Sequence, residues 1–341
     1  MSISLRRLAQ LAEVSPSSAW RALHGHGDAS PAMRRKILAL ARKHHFPLPP
    51  TQVEATSNLL KVLCSMIDLD SDEDQSERGY GRRLLAGVQK GADDCGVELA
   101  NYRFDPEVWP LAVDRQQVDG VVVIQGSEFE PHPPLPPPVP AVFMFSGPKE
   151  ADVIAIDDFD AGRTLAEHLC DPRNGGHTRF AYIGSQTAIS MRRLAGAMTY
   201  LQHDRIVMPQ ACICLERDVG SRVSAELLCD QLLAGARPGD SGPHGFTALI
   251  VYNDYMAAAV IMHLRQRGIR VPEDVSVAGF DNLRPAWYNG PAITTMAVPL
   301  EDIGAEAARL LYWRLAHPGA PPRRLTLNAT LVARESTRAS G

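Results

Sequence analysis

Apolar positions in the first fifty residues recur at helical steps. Leu5, Leu8, Ala9 and Ala12 fall three and four apart, giving one stripe on a short helix that stops near Glu13. Ser15 follows where an N-cap oxygen is needed. Pro16 stands at the first helical position, where its missing N–H costs nothing and its fixed φ suits the helix. A second helix therefore starts at Pro16. Ala19, Ala22 and Leu23 share one face of it, while Ser17, Trp20, Arg21 and His24 point elsewhere, and Val14 can plug the turn between the two helices. Gly25 and Gly27 end the second helix, and Ser30-Pro31 repeats the cap-plus-proline start for a third carrying Ile37, Leu40, Ala41 and His44 on one stripe.

The pattern then changes. Residues 46–58, FPLPPTQVEATSN, are rich in proline and polar residues without apolar periodicity, and predict a linker. Beyond it, short apolar runs alternate with helical spacing: a strand within Leu59–Ile67, a helix at Tyr80–Gly96, and strands at Val97–Tyr102, Gly120–Ile124 and Ala141–Phe145. The proline run at residues 131–140 is expected to be a rigid surface connection rather than a partner motif. A second series begins at Val153 with VIAIDDFDAGRTLAEHLC. It continues through RFAYIGS, a helix at Arg193–His203, ACICLE, a helix at Ser221–Leu233, TALIVYNDYMAAAVIMHLRQRG and VSVAGFDN. Strand–helix alternation of this kind predicts α/β lobes with doubly wound parallel sheets.

Composition narrows the function. At 45% hydrophobic and 22% charged residues the chain reads as a soluble globular protein; no apolar run approaches the roughly 18 residues of a membrane span. The N-terminus lacks the continuous apolar stretch of a signal peptide, so a cytoplasmic location is expected. The six cysteines form no CxxC pair and are expected to be reduced core filler. Charge is unevenly placed: residues 1–50 hold eight Lys/Arg against Glu13 and Asp28, although the whole chain has a net charge of −4. A basic module on an acidic body is the footprint of a protein whose head alone meets a polyanion. His24, His26, His44 and His45 lack a Cys or carboxylate to complete a metal set, so no metal and no cofactor are expected.

These residues together resemble the LacI/GalR family of bacterial repressors. Ser4, Leu5, Leu8, Ala9, Ala12, Val14, Ser15, Ser18, Ala19, Arg21 and Leu23 match its head pattern. In the body the resemblance rests on Asp157-Asp158 with Gly162, Arg193-Leu194-Ala195-Gly196, Tyr252-Asn253-Asp254 with Met256-Ala257, Val277-Ala278-Gly279-Phe280-Asp281, and Arg334-Glu335-Ser336-Thr337. It implies a helix-turn-helix head over residues 1–45, a hinge over 46–58 and a two-lobed, periplasmic-binding-protein-like core over 59–341. Lobe 1 is expected over about 59–157 and 293–317, and lobe 2 over about 158–290 and 320–338. Pro16, Ser17 and Arg21 would project into the major groove, with Ser4, Leu5, Ser15, Ser18, His24 and Arg34 as further DNA contacts, Arg34 to phosphate. Arg193, Asn253 and Asp281 would lie at strand ends lining the ligand cleft, with Asp160 and Tyr80 on the same rims. The implied partners are a double-stranded DNA operator, a small-molecule effector of sugar or nucleoside class, and a second copy of the chain. Helices near Gly81–Cys95 and Glu301–Leu315 would form the dimer surface.

Three features depart from the family pattern. Residues Thr51-Gln52-Val53-Glu54-Ala55 lack the hinge arginine and the leucine that wedges into the minor groove. SERGYGRR at 76–83 replaces a segment that commonly supplies stacking aromatics. Trp20 replaces a small polar residue and can pack either on a sugar-phosphate or on the third helix. Other classes fare worse. Gly239-Asp240-Ser241-Gly242-Pro243 resembles a trypsin-like nucleophile loop, but trypsin-like proteases need a histidine base and an antiparallel barrel, which an alternating βα chain does not provide, and no catalytic residues are expected. An exported solute-binding protein, or a decayed enzyme on the same two-lobed fold, is the alternative; the basic helical head argues against it.

Overall fold

The computed structural model describes residues 4–24, 37, 40–41, 62–65, 75–99, 119–124, 140–217, 222–238, 245–285 and 288–338. In the head, α1 (Leu5–Ala12) and α2 (Pro16–His24) meet across a tight turn. Ser4 caps α1 by accepting from the Arg7 N–H at 3.3 Å, and Glu13 closes it in the left-handed region at φ 61°. Ser15 Oγ accepts from the Ser18 N–H at 3.0 Å, which is why α2 starts at Pro16. Residues 37, 40 and 41 are helical, and Ile37 and Ala41 bury against Leu8 and Ala12 as the head's core. The expected cap at Ser30-Pro31, His44 and the linker at 46–58 lie outside the described residues, as do the proline run at 131–139 and the loop at 239–243.

The body begins with β1 (Val62–Ser65), α3 (Gln75–Asp94), β2 (Gly120–Ile124), β3 (Ala141–Met144) and β4 (Asp152–Ile156). It continues with α4 (Asp158–Cys170), β5 (Phe180–Ser185), α5 (Ala188–His203), β6 (Ile213–Glu216) and α6 (Arg222–Gly235). After a two-residue pair, β7 (Arg237–Pro238) and β8 (Gly245–Phe246), come β9 (Ala248–Val251), α7 (Asp254–Gln266), β10 (Ser276–Phe280) and β11 (Thr294–Ala297). The chain closes with α8 (Leu300–Ala316), β12 (Arg324–Leu327) and β13 (Thr330–Val332). One sheet has the order β1-β2-β3-β4-β12 and is parallel throughout; the other has the order β13-β11-β10-β9-β5-β6 and is parallel except for β13. The chain passes between the lobes at three places, residue 157, residues 298–299 and residues 328–329, and Ala329 packs against both cores.

Four local readings change. Thr294–Ala297 pairs with β10 in the second sheet, not in the first lobe expected for 293–317, because Thr294 and Thr295 are fully buried and hydrogen-bonded there. Arg324–Leu327 pairs with β4 in the first sheet, not in the second lobe expected for 320–338. Residues 97–99 form no strand, and the rest of the expected Val97–Tyr102 strand is outside the described residues. Finally, α5 starts at Ala188 rather than Arg193, since Thr187 supplies the N-cap by accepting from the Ser190 N–H.

Each lobe is closed by one helix pair crossing at glycines. A Cβ on Gly87 or Gly304 would overlap backbone of the facing helix, so α3 and α8 meet main chain to main chain. In the second lobe Gly162 lies against the Arg193 backbone and Gly196 against that of Phe159, so α4 and α5 do the same. A buried ion pair locks the first lobe. Arg314 donates through Nε and Nη2 to Asp152 at 2.6 and 2.8 Å, and its remaining donors reach the carbonyls of His317, Ala320 and Pro321. That pair anchors the chain between α8 and β12.

His177, just before β5, is buried between Thr247 Oγ1 at 2.9 Å and Ser276 Oγ at 3.0 Å, at the starts of β9 and β10. Burial, aided by the nearby Arg338, pushes its imidazole down to about 4. The fold therefore favours the neutral ring: its stabilising effect is complete above the ordinary histidine value of about 6.5 and is lost as pH falls towards 4. Urea unfolding of the wild type is expected to lose about 2 kcal/mol over that window from this residue, a loss that His177→Gln should largely remove.

Candidate functional site

The second sheet reverses its strand order between β5 and β9, and ligands of open α/β sheets bind beyond strand ends at such a point. Here that position holds a buried guanidinium. Arg193, on the second turn of α5, donates through Nε to Asp158 Oδ1 at 2.9 Å and through Nη1 to the Tyr252 carbonyl at 2.7 Å. Its Nη2 reaches Asp281 Oδ1 at 3.3 Å. Its planar face lies 4.5 Å from the Phe280 ring centroid and 5.8 Å from that of Tyr252. Asp158, Arg193 and Asp281 are all buried. Burial alone would discharge such a guanidinium, but Asp281 and Asp158 outweigh it and hold its proton more tightly than usual. Burial raises the Asp281 carboxyl against the opposing pull of Arg193.

The first lobe closes over this cluster. Ile189 of α5 packs against that lobe's core, and Leu283 approaches Gly79 of α3. Tyr80 on α3 stands against Phe145 with ring centroids 5.7 Å apart. Burial and the neighbouring Asp281 raise its phenol well above the ordinary value, and Arg193 opposes that shift. Arg83 is clamped by Glu301 through two bonds of 2.6 and 2.8 Å and stands near Asp281.

The sequence-predicted cleft residues separate into two groups. Arg193, Asp281 and Tyr80 come together. Arg193 is on a helix rather than at a strand end, on the second turn of α5, which follows β5 directly. Asn253 caps α7 by accepting from the Met256 N–H at 2.8 Å. Asp160 lies in the first turn of α4 and is half-exposed, paired with Arg163. Asp158 was not singled out as a site residue. The signal was the Asp157-Asp158 pair at a strand end: Asp157 caps α4 by accepting from the Asp160 N–H, which leaves its neighbour to enter the core. No set of three or more His, Cys, Asp or Glu among the described residues is placed to hold a metal.

In the head, Ser15, Pro16, Ser17 and Trp20 are exposed around the start of α2, and the hydroxyls of Ser17 and Ser18 both bond Ser15 Oγ, at 2.9 and 2.8 Å. Ser4 is exposed at the start of α1, whereas Leu5 is partly packed on the head's core. The backbone of Arg21 and His24 belongs to α2; their side chains and Arg34 lie outside the described residues.

Comparison with known proteins fixes the lineage. Residues 167–337 match the periplasmic binding protein-like domain. The whole chain aligns with the HTH-type transcriptional regulator DegA of Bacillus subtilis (strain 168), 25% identical over 352 positions covering 99% of this chain and 98% of that protein. The HTH-type transcriptional repressor PurR of Escherichia coli O139:H28 is 25% identical over 349 positions, 98% and 96% of the two chains. The chain belongs to the LacI/GalR family. A solved structure of the transcriptional regulator CelR with cellobiose shares its fold with TM-score 0.66 and 25% identity, over 98% of this chain and 99% of that one. This LacI/GalR member is thus a DNA-binding transcriptional regulator, not an enzyme. No described helix is long and apolar enough to cross a membrane.

Asp158→Ala is expected to lower unfolding stability by about 3 kcal/mol, because it leaves the buried Nε–H of Arg193 without its acceptor. Asp160→Ala, in a half-exposed pair, should change it by less than about 0.5 kcal/mol. Denaturant melts of the two variants distinguish these outcomes.

Proposed function

We propose that this regulator is a dimeric repressor whose cleft binds an uncharged, hydroxyl-rich effector of the sugar or nucleoside class, and whose two heads read a palindromic operator. The observation supporting the effector class is the charge count at the cleft. Arg193 already has two buried carboxylate partners, so an acidic metabolite would have to displace Asp158 or Asp281 while facing the other. A polyol avoids this conflict: its O–H groups donate to Asp281, its oxygens accept from Arg193, and its C–H face lies on Tyr80 or Phe145. The Asn253 carbonyl oxygen caps a helix, leaving its NH2 to donate, and Asp160 supplies a further acceptor at the rim. The ligand named for the CelR structure, cellobiose, has this chemistry.

On the DNA side, Pro16, Ser17 and Arg21 read bases while Ser4, Leu5, Ser15, Ser18, His24 and Arg34 position the head. Ligand closure would act by shifting the population of lobe arrangements, and with it the separation of the two heads. A dimer leaves limited choice of surface. Helices α3 and α8 commit their glycine faces to each other, so only their opposite faces remain for a partner. Val223 and Leu227, one turn apart on α6, are exposed apolar residues that a second copy would cover.

Thermal denaturation with cellobiose, ribose, adenosine and gluconate tests the effector class. At about 100 times Kd, a neutral polyol should add about 2.7 kcal/mol, an upward Tm shift of several degrees that Asp281→Ala loses. Stabilisation by gluconate alone would refute the charge argument. For the head, Arg21→Ala should weaken binding to a duplex enriched from a random pool by about 1–3 kcal/mol, leaving random DNA little affected, whereas Arg34→Ala should weaken both alike. Equal losses for Arg21→Ala on the two DNAs would exclude it from base reading.

A further inference from the structure

Beyond the cleft's own contacts, α7 carries a carboxyl without solvent exposure that the ligand-site reading does not use. Asp254, the first residue of α7, directs Oδ2 to two donors from different segments: the Leu283 N–H at 2.9 Å and the Thr295 hydroxyl at 3.0 Å. Thr295 Oγ1 in turn accepts from the Asn282 N–H at 3.3 Å. Asp254 Oδ1 has no hydrogen-bond partner among the described residues and lies against the Cα of Gly279, where any side chain would collide with it.

The segment held in this way is unusual. Asp281 and Asn282 are consecutive non-glycine residues with φ of 96° and 57°, a conformation that persists only where surroundings over-determine it. Two further contacts hold it, and a third anchors the arginine that makes one of them. The Asp281 N–H donates to the Met296 carbonyl at 2.9 Å, Arg334 Nη2 donates to Asn282 Oδ1 at 2.5 Å, and Arg334 Nη1 holds the Ile293 carbonyl at 2.9 Å. The segment carries the Asp281 carboxylate to Arg193 at one end and Leu283 towards Gly79 of the first lobe a few residues on.

We propose that Asp254 is a positioning residue of the cleft: with Thr295 it holds residues 281–283 around the left-handed turn at Asp281-Asn282, setting both the Asp281 carboxylate against Arg193 and the approach of Leu283 to Gly79 of the first lobe. The proposal rests on the reading of the cleft as the effector site only for its consequence in binding; the positioning itself is a property of the unliganded chain. A carboxyl placed merely to cap its own helix would not require Thr295 or the Leu283 amide. Burial raises the Asp254 carboxyl well above the ordinary range, and Asp281 adds to this, while Thr295, the Leu283 amide and Arg334 oppose it. Both donors converge on one oxygen, Oδ2, so an asparagine carbonyl can accept from both and should replace it.

Hydrogen exchange on the full-length protein, followed by mass spectrometry, tests the assignment. Asp254→Ala should speed exchange of the peptide spanning 281–285 at least about tenfold while β5 and β9 amides keep their protection, and Asp254→Asn should restore the slow rate. Thr295→Val, which keeps the volume and removes the hydroxyl, should give an intermediate rate, so the assignment can be tested even if Asp254→Ala does not fold. Unchanged exchange at 281–285 in Thr295→Val and Asp254→Ala overturns it. So does loss of protection confined to residues 255–258, which would assign Asp254 to its own helix end. The same variants are then titrated with cellobiose and ribose. If neither sugar binds the wild type while the exchange result holds, the sugar reading fails and the positioning role stands; if a sugar binds, Asp254→Ala should weaken it about tenfold and Asp254→Asn should not.

Discussion

A guanidinium buried between two carboxylates is the constraint around which the second lobe is organised. Arg193 can remain there only because Asp158 reaches it from the start of α4, Asp281 from the end of β10, and the Tyr252 carbonyl from the end of β9. Three separate chain segments are thereby required to converge. Removing any one leaves a buried N–H of Arg193 without its acceptor, so the geometry of the strand ends is specified by hydrogen bonding and electrostatics as well as by packing. The cost of assembling such a cluster is typical of binding sites rather than cores, where an apolar replacement of equal volume would serve stability better.

Backbone contact between helices makes this arrangement possible. Because Gly162 and Gly196 let α4 and α5 touch main chain to main chain, Arg193 and Asp158 start from backbones close enough for a short, nearly unstrained pair. The first lobe repeats the device with Gly87, Gly91 and Gly304, but there the helix pair serves rigidity, and its ion pair, Arg314 with Asp152, ties a connection to the sheet. Similar scaffolds thus present a polar cluster at one cleft wall and a partly aromatic surface, Tyr80 with Phe145, at the other.

Much of this was legible in the sequence where local signals agree. The Ser15-Pro16 start, the Glu13 stop and the strand at Gly120–Ile124 follow from caps and apolar runs, and they stand as expected. The misreadings arose where tertiary contacts override local pattern. Thr294 and Thr295 look like solvent-facing strand residues, yet they are buried because Ser336, Thr337 and Asp254 satisfy their polar atoms. β12 and β13 are only two residues apart and go to different sheets, a partition that no periodicity encodes. For the site, the motif residues Arg193 and Asp281 could be picked out, whereas Asp158 and Asp254 could not: their roles depend on which neighbours leave which atoms unpaired, and that information is three-dimensional.

The threefold passage of the chain between the lobes has a kinematic consequence. A single tether would allow the lobes to twist, shear and separate; two would still permit twisting about the line joining them. Three short connections running side by side, at residues 157, 298–299 and 328–329, suppress translation and favour rotation about one shallow axis. With Ala329 touching both cores, the pivot lies near the apolar interior rather than in a solvated strap. A lobe movement about these connections would approximate a door on one pin, passing an event in the cleft on as an angle.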